Sequence, residues 1–285
     1  MFADLHLHTT ASDGINTPAE VVKLAKGKGF SAIAITDHDT TGGLEEALKA
    51  GAAYGIEVIP GIELSTLEGE REIHILGFYS DPECSALQKM LSQMIEARST
   101  RALKMVEKLQ ETGIDIDIER VKEIAGGKFI GRPHIARAML ESGYINDLSE
   151  AFSEELIGRG GRGYVERFKL SPKEGINILK KAQAIPVLAH PGFLSKGEPV
   201  KKEEIAALTA AGLQGLEVYY SKHTPAQNEF YLCCAQEYSL LVTGGSDCHG
   251  QPDQTNSLGI IKLPYKYVEA LKNERARQMA EDKSK

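Results

Sequence analysis

The 285-residue sequence contains no tryptophan and only four cysteines, of which two are adjacent and two stand alone. Without regularly spaced cysteine pairs, neither a zinc ribbon nor a disulfide framework is indicated, and any metal ligands should be nitrogen and oxygen atoms. Basic residues are in the minority, with 33 Lys and Arg against 40 Asp and Glu and a net charge of -7. This balance argues against duplex nucleic acid as a partner, but it is compatible with a local positive pocket for one phosphate.

Long hydrophobic runs are also missing, because no apolar stretch approaches the length that spans a bilayer. The first six residues lack the charged and hydrophobic regions of a signal peptide. We therefore expect a cytoplasmic protein that does not bind membranes. The composition is otherwise balanced, at 42% hydrophobic and 26% charged. A chain of this length can bury one large core, and α/β barrels of this size occur undivided.

Short apolar runs alternate with helical segments along most of the chain. The pattern predicts strands at 3–7, 32–36, 57–59, 73–79, 187–189, 215–220 and 240–243, and helices at 17–27, 43–54, 171–183, 202–211 and 225–238. Thr17 and Glu20 form a capping-box pattern with Pro18 at the first helical position. About seven strands with mostly helical crossovers predict an α/β fold with a parallel, closed sheet, although the pattern also fits an open doubly wound sheet.

The interval 85–164 breaks this alternation. Its apolar residues follow helical spacing, as at Leu87, Leu91 and Met94 and again at Ile135 and Met139. We therefore expect a helical insertion at 85–164 within a barrel domain that spans 1–285. The insertion ends in the glycine- and arginine-rich segment 158–163, for which a mobile solvated connection and a loop that closes over a substrate are both open.

Histidines and carboxylates follow the predicted strands. His6 and His8 alternate along a strand, so they point to the same side and can chelate one ion if the strand end faces a pocket. Taken alone, the pair could equally be structural histidines. Asp13 lies in an Asp-Gly turn that could return its carboxylate to the same pocket, or it could be an ordinary turn residue. His38 lies between Asp37 and Asp39, which could orient it or cap the following helix.

The later strands repeat this arrangement. Glu63 follows an apolar strand where an unpaired carboxylate is costly, so a cation is expected beside it. His74 lies inside an apolar strand and, taken alone, could be a core histidine. His190 follows another apolar run, while Asp247 and His249 have the alternate spacing of a strand, with Cys248 between them assigned to packing. A barrel would collect all these strand ends at one face, which favours a barrel and predicts a multinuclear metal site.

The order of these motifs resembles that of the PHP (polymerase and histidinol phosphatase) family. The shared pattern is His-x-His, Thr-Asp-His, Gly-x-Glu, a strand histidine, Ala-His-Pro and Ser-Asp-x-His. The family consists of trinuclear phosphoesterases, and the resemblance implies a distorted barrel of seven β/α units, similar to a TIM barrel. The segments 36–40, 131–134 and 219–223 resemble the stand-alone branch of nucleotide phosphatases and 5′-3′ exoribonucleases.

The resemblance implies three divalent metal ions, with manganese as the first choice and iron or zinc as alternatives. The implied ligands are His6, His8, Glu63 and Asp247 for the first metal, Glu63, His74 and His190 for the second, and Asp13, His38 and His249 for the third. A hydroxide that bridges two metals would attack the phosphate. Arg132, His134 and His223 are predicted to bind the substrate, and either histidine could protonate the leaving group. The alternatives are a surface ion pair for Arg132 and a surface position before a helix for His223.

The expected activity is hydrolysis of nucleotide phosphate esters. Candidate substrates are a nucleoside 3′,5′-bisphosphate, which would give the 5′-monophosphate, as well as AMP and short single-stranded RNA with a 5′ phosphate. Histidinol phosphatase is an alternative enzyme, although the segments at Arg132 and His223 speak against it. A noncatalytic metal-binding regulatory module, as could occur beside a polymerase, is the alternative outside enzymology. The sequence fixes neither the oligomeric state nor the general acid.

Overall fold

The computed structural model describes residues 1–126, 130–166, 168, 170–194, 197–251 and 257–283. The chain divides into two compact units, Met1–Gln88 with Leu170–Lys285, and Lys89–Lys169. The strands are β1 (Phe2–Leu7), β2 (Ala32–Ile35), β3 (Glu57–Glu68), β4 (Arg71–Phe78), β5 (Ile185–Leu188), β6 (Gly215–Tyr220), β7 (Leu241–Gly245) and β8 (Leu263–Pro264). The helices are α1 (Pro18–Gly27), α2 (Leu44–Tyr54), α3 (Ser85–Glu111), α4 (Ile118–Ile124), α5 (Arg132–Glu141), α6 (Pro172–Lys181), α7 (Lys202–Ala210), α8 (Pro225–Glu237) and α9 (Lys266–Lys283).

The strands of the first unit form a nearly closed barrel. Their order is β7-β6-β5-β4-β3-β2-β1-β8. The backbone N–H of Asp247 donates to the carbonyl of His6 (2.9 Å), and the N–H of His8 donates to the carbonyl of Cys248 (3.1 Å). These bonds bring the end of β7 back beside β1, so the predicted α/β barrel is confirmed.

The sheet is mixed, so the prediction of a parallel sheet is wrong at the short β8, which runs antiparallel to β1, and at β4. This strand runs antiparallel to both β3 and β5, while β1, β2 and β3 are parallel, as are β5, β6 and β7. The cause is the connection between β3 and β4, which is a tight hairpin rather than a helical crossover. Gly69 has φ 62° in this turn, a conformation that glycine adopts at no steric cost.

The helices begin where the sequence places their caps. Thr17 Oγ1 accepts from the N–H of Glu20 (3.3 Å), and the Glu20 carboxylate accepts from the N–H of Thr17 (2.8 Å), which confirms the predicted capping box. The predicted strand at 57–59 was too short, because β3 continues through Pro60 to Glu68. The short β8 and helix α9 were not predicted. None of the described helices is both long and apolar enough to cross a bilayer.

The second unit is helical and has its own core. Buried side chains from α3, α5 and the following turns pack together, including Met105, Leu109, Ile135, Met139 and Ile157. The segment 158–163 is a succession of turns. The N–H of residue 158 donates to residue 153, and the N–H of residue 163 donates to residue 156, at 2.8 and 3.0 Å.

Candidate metal centre

Glu63 lies at the centre of a cluster of histidines in the barrel unit. Its side chain is completely buried in β3. The Oε2 atom lies 3.1 Å from His6 Nε2, 3.3 Å from His8 Nε2 and 3.1 Å from His38 Nδ1. One carboxylate oxygen therefore faces three imidazole rings that come from two separate strand ends.

The other oxygen of Glu63 faces two further histidines. Oε1 lies 2.8 Å from His74 Nδ1 and 3.1 Å from His190 Nε2. His74 stands in β4, and His190 follows β5. Because the two oxygens address different sets of imidazoles, Glu63 has the geometry of a carboxylate that could bridge two cations.

Two more carboxylates complete the cluster. Asp247 Oδ1 lies 3.1 Å from His8 Nε2, next to the Glu63 site. Asp13 Oδ1 lies 3.3 Å from His249 Nε2, and its other oxygen lies 3.9 Å from His38 Nε2. Asp13 lies where the cluster is open to solvent, since 57% of its side chain is exposed.

Among the described residues, three groups of side chains have ligand atoms within 4.8 Å of one another. They are His6, His8, Glu63 and Asp247; His38, Glu63 and His74; and His8, Asp13, His38 and His249. The first is the set that the family resemblance implies for one metal. The other two groups differ from the implied ligand sets. His38 takes the place of His190 beside Glu63 and His74, and His8 is added to Asp13, His38 and His249. The structure thus brings all the predicted ligands together, with His190 attached through Glu63, and their division among individual metals stays a prediction.

The nitrogen atoms in the cluster fit a metal. Both ring nitrogens of His8, Nδ1 of His38 and Nε2 of His74 are buried, and their contacts with the described residues lack the geometry of a hydrogen bond. A buried polar atom without a partner costs about 1–3 kcal/mol, and a divalent cation would satisfy these lone pairs. Imidazole and carboxylate ligands without thiolate suit manganese, iron or zinc.

The carboxylates of the cluster are held in their charged form. Burial alone would raise the pKa of Glu63, but the charges of His38, His6 and His74 hold it well below its usual range. Burial would likewise raise the pKa of Asp247, and His6 and His8 lower it instead. Anions are therefore present to receive cations at neutral pH.

The surroundings raise the pKa of some imidazoles in the cluster and lower that of another. Burial alone would lower the pKa of His8 and of His74, but the carboxylates of Asp247, Glu63 and Glu72 overcome it and raise the two values to about 9 and about 10. Burial lowers the pKa of His38 to about 4. Without metal, protons on His8 and His74 supply the positive charge that the cluster requires, so a metal must displace them.

The backbone at the strand ends is strained where it presents these side chains. His190 has φ 27° and Asp247 has φ 54°, in a region that residues other than glycine rarely adopt. Gly245 lets β7 approach β1 closely, because a Cβ atom there would lie 2.3 Å from the Cβ of His6. Such strain persists only where the surrounding structure enforces it, and here it fixes the direction of two predicted ligands.

Glu217 is a buried acid of the site that the sequence interpretation missed. It is completely buried in β6, its Oε1 lies 3.0 Å from His6 Nδ1, and its Oε2 accepts from the backbone N–H of His190 (2.8 Å). The sequence held a signal, because Glu217 is a charged residue inside an apolar strand, the same feature that pointed to Glu63. Acids that hold the outer nitrogen of a ligating imidazole orient the ring and raise its basicity.

Asp37 and Asp39 support the site through backbone and hydroxyl groups. Asp37 accepts from the N–H of Thr9 (2.7 Å) and from Ser12 Oγ (2.6 Å), which holds the loop before Asp13. Asp39 accepts from the N–H of Ser65 at 2.8 Å.

Tyr220, which was not predicted, donates from its hydroxyl to Asp247 Oδ2 at 2.9 Å. Cys248 packs against an apolar cluster of the barrel, as predicted.

His223 is buried with both ring nitrogens engaged by backbone groups. Nε2 accepts from the N–H of Gly192 (2.9 Å), and Nδ1 donates to the carbonyl of Val218 (3.0 Å). Burial lowers the pKa of the ring, in agreement with the neutral form. The surface position considered as an alternative is wrong. Contact of His223 with a phosphate stays a prediction, and it requires one of these hydrogen bonds to break.

Arg132 and His134 lie in the first turn of α5, in the helical unit. The guanidinium carbon of Arg132 lies 5.6 Å from the centre of the Phe152 ring. His134 Nδ1 accepts from the N–H of Gly131 at 3.0 Å, which leaves the proton of the neutral ring on Nε2. Burial lowers the pKa of His134. Their contact with a substrate stays a prediction.

Comparison with known proteins gives relatives along nearly the whole chain. The chain is 33% identical to the 3′,5′-nucleoside bisphosphate phosphatase of Chromobacterium violaceum, over 90% of this chain and 90% of the relative. It is also 33% identical to the 5′-3′ exoribonuclease Rnm of Escherichia coli, over 90% of this chain and 87% of the relative. Both relatives act on phosphate esters.

A solved structure and a family profile agree with these relatives. The crystal structure of a candidate metal-dependent phosphoesterase from Bifidobacterium adolescentis superimposes with a TM-score of 0.78 at 33% identity, over 94% of each chain. The profile of the PHP domain matches residues 4–166. This range contains six of the predicted ligands, including the central carboxylate Glu63. With the gathered ligands, the profile match and the relatives in agreement, the chain belongs to the PHP domain family.

Proposed function

We propose that the protein is a metal-dependent phosphoesterase that hydrolyses phosphate monoesters of nucleotides. The observation that carries this proposal is the completely buried carboxylate of Glu63 with five imidazole nitrogens within 3.3 Å of its oxygens. Such a site can hold cations close together. When bound, divalent metal ions lower the pKa of coordinated water and neutralise the oxygens of a phosphoryl group.

The residues of the chain divide the remaining work. Glu63, Asp247 and Asp13, together with the surrounding imidazoles, would hold three metal ions, with manganese as the first choice. Glu217 and Tyr220 keep His6 and Asp247 in position. Arg132 would bind a phosphate of the substrate through its planar pair of donors. His134, with its Nε2 proton, is the better candidate than His223 for the donor to the leaving oxygen.

The substrate class follows from the branch of the family. The motifs at Arg132 and His223 resemble those of the branch of nucleotide phosphatases and exoribonucleases. The relatives from Chromobacterium violaceum and Escherichia coli are named for these two activities. We infer that a nucleoside 3′,5′-bisphosphate, with the 5′-monophosphate as product, is the first substrate to test. AMP and short RNA with a 5′ phosphate are the next.

One assay tests this proposal. Protein reconstituted with manganese is given a nucleoside 3′,5′-bisphosphate, histidinol phosphate or a short single-stranded RNA with a 5′ phosphate, and released phosphate and nucleotides are measured. We expect the nucleotide or the RNA to be hydrolysed and histidinol phosphate to be left intact. Metal-free protein and the Glu63→Gln variant are the controls.

The possible results separate the alternatives. Preferred hydrolysis of histidinol phosphate would replace the proposed substrate class. Metal binding without hydrolysis of any phosphate ester would point to a noncatalytic metal-binding module. Release of nucleotides from RNA without activity on the bisphosphate would place the protein with the exoribonucleases.

A further inference from the structure

Phe193 is an exposed aromatic residue attached directly to the predicted metal centre. It lies three positions after His190, whose Nδ1 is 3.2 Å from the carbonyl of Phe193, while the N–H of Phe193 donates to the carbonyl of His190 at 2.9 Å. Phe193 is nevertheless 41% exposed. A single exposed aromatic residue is common on protein surfaces, so its position is what requires an explanation.

The ring of Phe193 lies beside Tyr220, a residue that contacts two predicted ligands. Its centre is 6.2 Å from that of Tyr220. Tyr220 in turn lies 5.2 Å from the His190 ring and donates its hydroxyl to Asp247. Tyr220 therefore connects Phe193 to two of the residues that would hold the metal ions.

A positive charge accompanies the ring. Lys222 Nζ lies 4.5 Å from the centre of the Phe193 ring, within the range of a cation–π contact. Lys222 is itself exposed, so its charge remains available to an anion. An aromatic face beside a cation is the combination by which proteins hold the bases and phosphates of single-stranded nucleic acids.

We propose that Phe193 is a specificity-determining residue on which the base of a nucleotide stacks, with Lys222 beside it. This inference rests on the proposed function, because a nucleotide whose phosphate is held at the metal centre would place its base among the residues around that centre, where Phe193 lies. Stacking accepts any base, since every base has a π face. The site would thus prefer phosphates that carry a base without selecting among bases.

Binding of two unreactive ligands tests the inference apart from catalysis. The ligands are phosphonate analogues of AMP and of ribose 5-phosphate, which differ only in the base, and their dissociation constants are measured by calorimetry on manganese-loaded protein. The wild type should bind the AMP analogue more tightly. In Phe193→Leu this preference should shrink about tenfold, and Phe193→Tyr, which keeps the aromatic face, should retain it.

Phe230→Leu is the matched control, because Phe230 is 42% exposed and lies in α8. It should keep the full preference for the base. An undiminished preference in Phe193→Leu would overturn the inference, as would a wild type that binds the two ligands equally. Failure of the proposed function would appear elsewhere, as absence of phosphate release in the assay above, since the binding measurement needs no turnover.

Discussion

Glu217 Oε1 lies 3.0 Å from Nδ1 of His6, and neither side chain is exposed. The other oxygen of Glu217 accepts from the backbone of His190, so one acid holds two predicted ligands that come from different strands. The opposite nitrogen of His6 faces Glu63 at 3.1 Å. The His6 ring is thereby fixed between an acid behind it and the metal centre before it.

Glu217→Gln should therefore weaken metal binding. The amide keeps the shape of the side chain but loses the charge that makes His6 a more basic metal ligand. Loss of such a partner costs about ten- to a hundredfold in metal affinity. Manganese affinity measured by calorimetry checks this. Glu204→Gln, which breaks an ion pair with Arg71 instead, is the control and should bind manganese as the wild type does. Equal affinity in both variants would show that Glu217 only fills space.

Glu63→Gln should have a larger effect, because both oxygens of Glu63 face imidazoles. We expect activity to fall by a factor on the order of a hundred or more, in line with the several kcal/mol that metal ions contribute. The metal content should fall in the same variant. Turnover close to that of the wild type with a full complement of metal would reduce Glu63 to a structural residue.

Metal binding should release protons and strengthen as pH rises. His8 and His74 have metal-free pKa values of about 9 and about 10, so both are protonated at pH 7 and must lose their protons to coordinate. Raising the pH from 7 towards 9 removes this competition, and apparent affinity should increase up to about tenfold per pH unit for each proton. Calorimetry in buffers with different ionisation enthalpies counts the protons. Affinity independent of pH would contradict the assignment of these two ligands.

Arg132→Ala should weaken the use of a nucleotide substrate without loss of metal. Losing a charge-assisted contact with two prongs costs about 2–3 kcal/mol in transition-state binding, which is seen in kcat/KM for the bisphosphate. Arg137→Ala is the matched control, since Arg137 lies in the same helix and is exposed. A smaller loss on an aryl phosphate than on the bisphosphate would place Arg132 at the second phosphate or the nucleoside. No loss on either substrate would remove it from the site.

Much of the fold could be predicted because strands and helix caps carry local signals. The capping box at Thr17 and the apolar strands before His38 and His190 depend on neighbouring residues only. The antiparallel β4 was missed, because strand direction depends on the length of the connection, and Pro60 concealed how far β3 extends. The two-residue β8 is too short to produce a pattern.

The site was predictable to a similar degree. Candidate ligands at strand ends are recognisable, because a barrel brings strand ends together. The hydrogen bonds of His223 were not, since they depend on the backbone of Gly192, which is distant in the sequence. Glu217 could have been found by asking of every charged residue in an apolar strand what neutralises it.

The central claim is that the cluster around Glu63 holds several metal ions, and elemental analysis of the purified protein tests it most directly. After reconstitution with manganese, iron or zinc, the account predicts about two to three equivalents of metal per chain. Less than about one equivalent under every one of these conditions would contradict it.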